Sequence, residues 1–526
     1  MSYIKRYWAE IVVIGIIALV LLADAAPAPT WVNTDSDGIH YLYSATNLYP
    51  AHHTSAPLFL LLGHLFLYIP FGNEFWRLSL LSVCATTIST VFVYLSIRHH
   101  LSSRAYGLLG AIIFGGSALV ISQSTIVETY ALITMCAIGA YYFSLKKRWW
   151  LCSIMLGAGL AIHTLGVIPI ILIMLFNVDF RCWEYAGVIA LFLLFYLYIP
   201  ITTLVNHPPD MWGNITIKAF VIDNYSTTLM LLGGLSIWDL PKRILDTIGI
   251  LGVSLGLAVV PIATMFKPLK TLLLWLFILP ILFFMTNLAY QTVVYCMPSV
   301  AFGAILAVIG LSKMPKFWTY AVAIVAVGLL IFNANYFDIG RTLDKDLSAN
   351  KFYTQELAKV PDGEILMPQY GWEWASIIPF NKREGRNIIA VDVDTVVSPV
   401  YQQYLIEQGI KFEDNFDKDS NTRQSFIATS IVKLNDNVWT TVTTDAETYG
   451  AEVVLAKDNL KSVNKMPTEP PAQWHWKPSN PFGYITGSIE INEWKFITWS
   501  NWNCLFFSMW IAFGLFASKM IWKQEA

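Results

Sequence analysis

Long runs of apolar residues, separated by short polar stretches, occupy most of the chain. A helix needs about 20 predominantly apolar residues to cross the hydrocarbon core of a bilayer, where only helices and closed barrels satisfy every backbone group. The apolar runs therefore predict about a dozen membrane-spanning helices. Their approximate positions are residues 8–25, 76–97, 105–122, 126–145, 149–163, 165–178, 184–204, 244–266, 271–288, 291–311, 317–334 and 497–518.

One apolar run, residues 57–71, is shorter than the others and is bounded by Pro57 and Pro70. We interpret it as a helix that lies at the membrane interface, with a full span as the alternative. The choice matters because one span more or fewer inverts the orientation of every later loop.

The distribution of Lys and Arg favours the interfacial interpretation, because cytoplasmic loops of membrane proteins carry an excess of both. With residues 57–71 at the interface, fourteen Lys and Arg fall at cytoplasmic helix ends and four fall on the other side. Both termini are then expected in the cytoplasm. Three segments are expected in the periplasm, the cell exterior or an organelle lumen: residues 24–75, 205–243 and 334–495.

The composition indicates lipid as the solvent, since 56% of the 526 residues are hydrophobic and 13% are charged, against about 25% charged in a soluble domain. Residues 334–495 differ, because they hold 16 of the 34 Lys and Arg and 23 of the 36 Asp and Glu. Within them, EILMP (364–368) and NIIAVDVD (387–394) predict strands, and residues 348–360 and 399–409 predict helices. This alternation is typical of a small α/β layer.

Two classes of function are disfavoured by charge and by cysteine usage. A net charge of −2 without a long basic run argues against a nucleic-acid partner. Five of the six cysteines fall in apolar runs and the sixth in a short loop, so the sequence suggests no disulfide framework and no cysteine metal site.

Two acids, Asp35 and Asp37, follow the first predicted span closely, in a loop (residues 24–75) without any Lys or Arg. An ionisable group beside the hydrocarbon is costly enough to suggest a functional site, although a loop carboxylate can also simply be solvated. From spacing alone, both interpretations remain open for this pair.

Several motifs follow in a fixed order after the acidic pair. The pair itself reads Asp35-Ser36-Asp37-Gly38, and a His-containing stretch, residues 52–58, begins the interfacial helix. Further motifs are PFGNEFWRLSLLS (70–82), STIVETYAL (124–132), GLAIHTLGVIP (159–169), YIPITTLVNHPPDMWGN (198–214) and the segment 362–394. In this order they resemble the transmembrane O-mannosyltransferase-like family of the GT-C glycosyltransferases, over roughly residues 8–410.

The resemblance implies a polytopic α-helical membrane protein of the GT-C type, with about twelve spans and a small non-cytoplasmic α/β domain before the last span. The corresponding domains are a transmembrane catalytic region at 1–334, the α/β domain at 335–495, and a last helix with a cytoplasmic tail at 496–526. The resemblance further implies transfer of a sugar, mannose or another hexose, from a polyprenyl- or dolichyl-phosphate donor. The acceptor would be a protein Ser/Thr or an envelope glycan hydroxyl on the non-cytoplasmic face.

Two alternatives stand beside this function. Gly38 replaces an acid of the family motif, and His53-Thr54-Ser55 replaces its Pro-Pro-Gly, which leaves open a catalytically inactive GT-C-derived subunit of a larger membrane complex. A transporter would require inverted repeats and ionisable groups at mid-membrane. Neither feature is evident in the sequence, so the transporter ranks last.

The resemblance assigns catalytic roles to three acids, since inverting transfer needs a carboxylate to accept the acceptor proton. Asp35 is expected to be that base, and Asp37 to share the role or to hold the sugar or a metal. Glu128, at the outer end of a predicted span, is expected to face the same cavity. Its alternative role is a helix N-terminal carboxylate stabilised by the macrodipole.

Six further residues are expected to bind donor or substrate: His52, His53, Arg77, His163, Trp212 and Asn214. Arg77 and His163 are the expected partners of the lipid phosphate, with an interfacial Arg and a hydrogen-bonded His as the alternatives. His52 and His53 could hold a divalent cation together with the aspartates, although the sequence assigns no metal site. Trp212 and Asn214 belong to a loop expected to cap the cavity.

The expected partners follow from this reading: a lipid-linked sugar donor, a protein or glycan acceptor, membrane lipid, and other subunits if a membrane complex forms.

Overall fold

The computed structural model describes a large part of the chain. The described residues are 2–27, 37–51, 56–163, 182–206, 254–262, 296–336, 355–368, 371–393, 396, 399–414, 420–441 and 461–462. The predicted spans 165–178, 271–288 and 497–518, and most of 244–266, lie outside them. The predicted domain boundaries and the count of twelve spans therefore stay predictions.

The described residues form helices over most of their length. In chain order the helices are α1 (Ser2–Ala23), α2 (Asp37–Asn47), α3 (Pro57–Phe66), α4 (Glu74–Leu101), α5 (Arg104–Gly115), α6 (Ala118–Ser124), α7 (Tyr130–Leu145), α8 (Trp149–Ile162), α9 (Cys182–Leu193), α10 (Tyr198–Asn206), α11 (Val259–Ile262), α12 (Met297–Leu311), α13 (Lys316–Tyr336), α14 (Gly371–Glu384), α15 (Pro399–Glu407) and α16 (Ser420–Leu434). Three 3-10 turns accompany them, at Leu194–Leu197, Gly256–Ala258 and Leu357–Lys359.

Three described helices are long and apolar enough to cross a membrane. They cover Arg6–Ala23 in α1, Glu74–Leu101 and Lys316–Ala334 in α13, and the bent pair α5 and α6 makes a fourth if it is taken as one span. These helices indicate an integral membrane protein. The orientation of the termini stays a prediction.

The helix α3 begins at Pro57, where proline is favoured at the first helical position, and it contains 10 residues. At 1.5 Å per residue its length is about 15 Å, roughly half of the hydrocarbon thickness. Its length thus agrees with the interfacial interpretation rather than with a full span.

The predicted span 105–122 is not straight, because α5 and α6 meet at an angle of 65°. A Cβ on Gly116, at the bend, would lie 2.8 Å from the Ile112 carbonyl oxygen and 2.9 Å from Leu330 Cβ. Asn333 of α13 donates from its Nδ2 to the Gly116 carbonyl oxygen at 2.7 Å. A close helix approach and a side-chain donor thus stabilise a break that apolar length alone did not predict.

The predicted span 126–145 also differs, since α7 begins only at Tyr130. Residues 125–129 form an irregular connection between α6 and α7.

Helix α4 packs against α7, α5, α1 and α12, and its contacts include glycines of neighbouring helices. A Cβ on Gly107 would lie 2.7 Å from the Tyr94 ring, so a small residue lets the helices approach closely.

Four short strands follow the membrane helices: β1 (Ile365–Met367), β2 (Ile389–Ala390), β3 (Val438–Thr440) and β4 (Lys461–Ser462). They form one parallel sheet in the order β2-β1-β3-β4. Buried residues of the strands pack with those of α15 and α16 into a separate apolar cluster, which includes Ile365, Val391, Tyr401, Ile427 and Ile431.

The sequence predicted strands at 364–368 and 387–394, and the observed β1 and β2 lie within them but are shorter. Helix α15 coincides with the predicted helix 399–409. Only the end of the predicted helix 348–360 is described, and it contains the 3-10 turn Leu357–Lys359. Helices α14 and α16 and strands β3 and β4 were not predicted. Strands β3 and β4 have three and two residues, which is too short for a recognisable alternation of apolar and polar positions.

Candidate functional site

Helix α2 begins at Asp37, the second acid of the predicted pair, so the acidic loop leads directly into a helix N-terminus. Its first turn packs against the connection between α6 and α7. A Cβ on Gly38 would lie 3.1 Å from the Val127 carbonyl oxygen and 3.3 Å from Val127 Cβ. Asp35 lies outside the described residues. Gly38, the residue after Asp37, adjoins Val127, the residue before Glu128.

Glu128 lies in the irregular connection and is 2% exposed. Its Oε2 accepts a hydrogen bond from the Thr129 backbone N–H at 3.2 Å, and its carbonyl oxygen accepts one from Ser82 Oγ at 3.1 Å. The carboxylate therefore adjoins the beginning of α7 at Tyr130. This position is compatible with both predicted roles, a site carboxylate and a macrodipole partner.

Hydrogen bonds attach the segment that carries Glu128 to two other helices. Thr86 of α4 and Ser124 of α6 share a hydrogen bond of 2.6 Å between their hydroxyls. The Ala26 backbone N–H, just after α1, donates to the Thr125 carbonyl oxygen at 2.7 Å. Ser79 Oγ of α4 donates to the Ala26 carbonyl oxygen at 3.2 Å. The end of α1 and the Glu128 segment are thus both hydrogen-bonded to the part of α4 between Ser79 and Thr86.

His163 follows α8 in extended conformation and is 8% exposed. Its backbone N–H donates to the Gly159 carbonyl oxygen at 3.0 Å, and its ring centroid lies 6.2 Å from that of Tyr130. Tyr130 is two residues from Glu128. His163 thus packs beside Tyr130, in the helix that directly follows the Glu128 segment.

Arg77, the other expected phosphate partner, lies in the first turn of α4. Its Nε donates to the Phe71 carbonyl oxygen at 3.1 Å, and its Nη1 donates to the Leu67 carbonyl oxygen at 3.0 Å. Arg77 also lines a cavity of about 310 Å³ together with Thr46, near the C-terminal end of α2. Thr46 is nine positions after Asp37 in α2, which corresponds to about 14 Å of helix. The acidic end and Arg77 therefore lie towards opposite ends of α2.

Besides Asp35, four of the predicted site residues lie outside the described residues: His52, His53, Trp212 and Asn214. Within the described ranges, no three His, Cys, Asp or Glu side chains are grouped as a metal ion would require. Asp35, His52 and His53 lie outside those ranges, so a cation site formed with them stays a prediction.

Sequence reasoning did not identify three residues that lie beside predicted site residues in the structure. Tyr130 faces His163, and Lys382 and Arg383 of α14 line the cavity beside Arg77. The signal for the basic pair was its position in NKREGR (381–386), a concentrated basic stretch in the segment after the membrane helices. Tyr130 carries no such signal, because the chain contains 25 tyrosines.

Comparison with known proteins finds one family model that matches part of the chain. Residues 37–183 match the model of the protein O-mannosyl-transferase TMEM260 N-terminal domain. The matched range contains Asp37, His52, His53, Arg77, Glu128 and His163. No curated protein matches the sequence.

Three solved structures are similar to the chain at low identity. The oligosaccharyltransferase of Archaeoglobus fulgidus has 13% identity and a TM-score of 0.46, with 83% of this chain and 69% of that chain covered. ArnT from Cupriavidus metallidurans has 10% identity and a TM-score of 0.46, with 77% and 95% covered. The arabinofuranosyltransferase AftD from Mycobacteria has 14% identity and a TM-score of 0.39, with 69% and 29% covered.

The resemblance that the motifs predicted is thus confirmed for part of the chain, where residues 37–183 match the model of the protein O-mannosyl-transferase TMEM260 N-terminal domain.

Proposed function

We propose that the protein is a membrane glycosyltransferase that transfers mannose or another hexose from a polyprenyl- or dolichyl-phosphate donor. The acceptor is a hydroxyl of a protein Ser/Thr or of an envelope glycan, on the non-cytoplasmic face. The observation that carries the proposal is the contact between the first turn of α2, next to the acidic pair, and the segment of buried Glu128. This contact occurs within the domain that matches the O-mannosyl-transferase family.

In the proposed reaction, the acceptor hydroxyl oxygen attacks the anomeric carbon of the donor. A carbon–oxygen bond forms there while the bond from that carbon to the phosphate oxygen breaks, and the lipid phosphate leaves with the bonding electron pair. The acceptor proton passes to the Asp35 carboxylate, which acts as the general base. Asp37 and Glu128 orient the acceptor and the sugar hydroxyls by accepting hydrogen bonds.

The leaving phosphate gains negative charge in the transition state, so a donor group near it lowers the barrier. His163 fits this role, since its ring adjoins Tyr130 near Glu128. His52, His53, Trp212 and Asn214 complete the donor site in this proposal, with Trp212 stacking on a sugar face. Arg77 remains a predicted phosphate partner, but a phosphate bonded directly to the anomeric carbon favours His163, because Arg77 lies towards the other end of α2 from the acidic pair.

The test is a transfer assay with full-length purified protein, a polyprenyl-phosphate mannose and acceptor peptides rich in Ser and Thr. We expect Asp35→Asn to reduce kcat by about 10²- to 10⁴-fold, the usual contribution of a general base. We expect Glu128→Gln to reduce transfer without a large loss of thermal stability. Glu407→Gln, at an exposed position of α15, is the control with the same change of charge. Equal transfer by wild type and Asp35→Asn would remove Asp35 as the base.

A non-catalytic subunit is the second candidate, because Gly38 and the His53-Thr54-Ser55 stretch depart from the family motifs. The close approach of Gly38 to Val127 offers a steric reason for one of these departures, which weakens this candidate. It predicts no transfer with any lipid-phosphate sugar, together with stable co-purification of other membrane subunits from native membranes.

A further inference from the structure

The cavity beside Arg77 lies where the membrane helices meet the segment that follows them. Its walls come from the ends of α2 and α3, the first turn of α4, and α14. The described lining residues are Thr46, His64, Leu67, Tyr68, Glu74, Arg77, Pro379, Lys382 and Arg383. A volume of about 310 Å³ is at the lower end of the range of small-molecule sites. We call this space the junction cavity.

The charges of the junction cavity are predominantly positive. Arg77, Lys382 and Arg383 contribute three cations among the described lining residues, against one carboxylate, Glu74. Glu74 Oε1 lies 3.7 Å from Arg383 Nη1, so this carboxylate is already engaged with one of the cations. An anion is therefore the ligand type that this lining favours.

Two of the cations retain hydrogen-bonding capacity. The described residues supply no hydrogen-bond acceptor to the Lys382 ammonium, which is exposed. Arg77 uses Nε and Nη1 for the Phe71 and Leu67 carbonyl oxygens, and within the described part of the chain its Nη2 has no protein partner. These donors match the oxygens of a phosphate, which Arg and Lys recognise in proteins.

One side of the junction cavity is continuous with an exposed apolar surface. Leu65, Tyr68 and Phe71, at the end of α3 and just after it, are 63%, 73% and 62% exposed. Tyr68 also lines the cavity. Exposed aromatic and aliphatic side chains next to cations are typical of the membrane interface, where tails and headgroups meet. The surroundings thus fit a ligand with a phosphate head and an apolar tail.

We propose that the junction cavity binds the phosphate headgroup of an anionic phospholipid from the adjacent leaflet. This site is separate from the transfer site, because about 14 Å of α2 lie between Thr46 at the cavity and Asp37 at the acidic end. The donor phosphate is bonded to the reacting carbon and so stays near the acids. The phospholipid joins α4 to α14 and holds the segment after the membrane helices against the bilayer.

The test measures lipid retention by native mass spectrometry of the full-length protein, independently of sugar transfer. The protein is delipidated in detergent and offered phosphatidylglycerol, phosphatidylcholine, a polyprenyl phosphate or inorganic phosphate in separate arms. We expect retention of one phosphatidylglycerol, at least tenfold above phosphatidylcholine. Retention of polyprenyl phosphate alone would assign the cavity to the donor and overturn the proposal. Equal binding of inorganic phosphate would overturn the lipid assignment.

The variants Lys382→Glu and Lys382→Gln/Arg383→Gln test the cavity itself. Lys382 is exposed, so its reversal leaves the fold intact while it repels a phosphate. We expect both variants to lose at least tenfold in phosphatidylglycerol retention. The control Lys359→Gln/Lys461→Gln removes two positive charges at Glu356 and Glu364, away from the cavity, and should retain lipid as wild type does. Unchanged retention by both test variants would refute the site.

Discussion

The motif that the sequence resembles has an acid where this chain has Gly38, and the structure supplies a physical reason for a glycine. The backbone of α2 approaches Val127 so closely that a Cβ would lie 3.1 Å from its carbonyl oxygen. A contact this tight requires the neighbouring backbone to shift by a few tenths of an ångström. The missing acid is thus compatible with the close approach of the first turn of α2 to Val127, the residue before Glu128.

Replacement of Gly38 by alanine should therefore displace the first turn of α2 from the Glu128 segment. Misplacement by about 1 Å can reduce a reaction rate by up to about 10²-fold, so we expect kcat to fall at least tenfold with little change in expression. The measurement is mannosyl transfer at saturating donor. Gly187→Ala is the matched control, because no atom lies within 4 Å of the added methyl in α9. Equal effects of the two substitutions would contradict the positioning role.

At the scale of elements, the bend between α5 and α6 decides where the Glu128 segment lies. Gly116 permits the close approach of α13, and Asn333 satisfies the carbonyl oxygen that the bend frees. Asn333 is fully buried. The length of the apolar run predicted one span, since hydropathy does not distinguish a straight helix from a broken one.

Substitution of Asn333 by leucine should leave the Gly116 carbonyl oxygen buried without its side-chain donor. A buried group without a partner costs about 1–3 kcal/mol, so we expect a lower thermal midpoint in detergent. Gly328→Ala in the same helix is the control, since an added methyl there meets nothing within 4 Å. A midpoint unchanged by Asn333→Leu would exclude this hydrogen bond as a support of the bend.

The packing of α15 and α16 carries a pH-dependent contact outside the membrane helices. Hydrogen bonds from Arg423 lower the pKa of the Asp414 carboxyl from its usual value of 3.8, and Gln402 Nε2 also donates to it at 2.8 Å. Arg423 Nε donates to Asp414 Oδ1 at 2.8 Å. Because the unfolded carboxyl binds a proton more readily, the pair stabilises the fold above pH of about 4 and this contribution disappears as pH falls further.

We therefore expect Asp414→Asn to lower the free energy of unfolding at pH 7. We also expect the free energy of unfolding of this variant to fall less than that of wild type as the pH drops below about 4. Hydrogen exchange of α15 and α16 between pH 3 and pH 7, corrected for intrinsic rates, measures this difference. Glu407→Gln is the control with the same charge change. If wild type and Asp414→Asn lose protection in parallel on acidification, the pair does not contribute.

At the scale of the whole molecule, the segment after the membrane helices packs against the helix that leads from the acidic pair. Buried Trp374 of α14 contacts Tyr43 of α2, with ring centroids 5.1 Å apart. Tyr198, at the start of α10, donates from its hydroxyl to the Tyr49 carbonyl oxygen at 3.1 Å. Helix α14 thus contacts α2, and α10 contacts the turn that follows α2, although both helices are far from α2 in sequence.

Truncation of Trp374 to alanine should loosen α2 from α14, since loss of a buried tryptophan costs about 3–5 kcal/mol. We expect faster hydrogen exchange in α2 and reduced transfer, while α7 and α12 remain protected. Trp150→Ala, at an exposed tryptophan of α8, is the control. Protection of α2 that is the same in wild type and Trp374→Ala would show that α14 does not support this helix.

The sequence by itself indicated the membrane character, many of the described helices and the resemblance to the O-mannosyltransferase-like family, because apolar run length and motif order depend on residues that are near each other in the chain. It also identified Asp37, Glu128, His163 and Arg77 as candidates, but not their mutual positions. Only the tertiary structure joined Gly38 to Val127 and separated Arg77 from the acidic end of α2. Those distances depend on how helices pack across about ninety residues of chain, and local periodicity contains no information about such contacts.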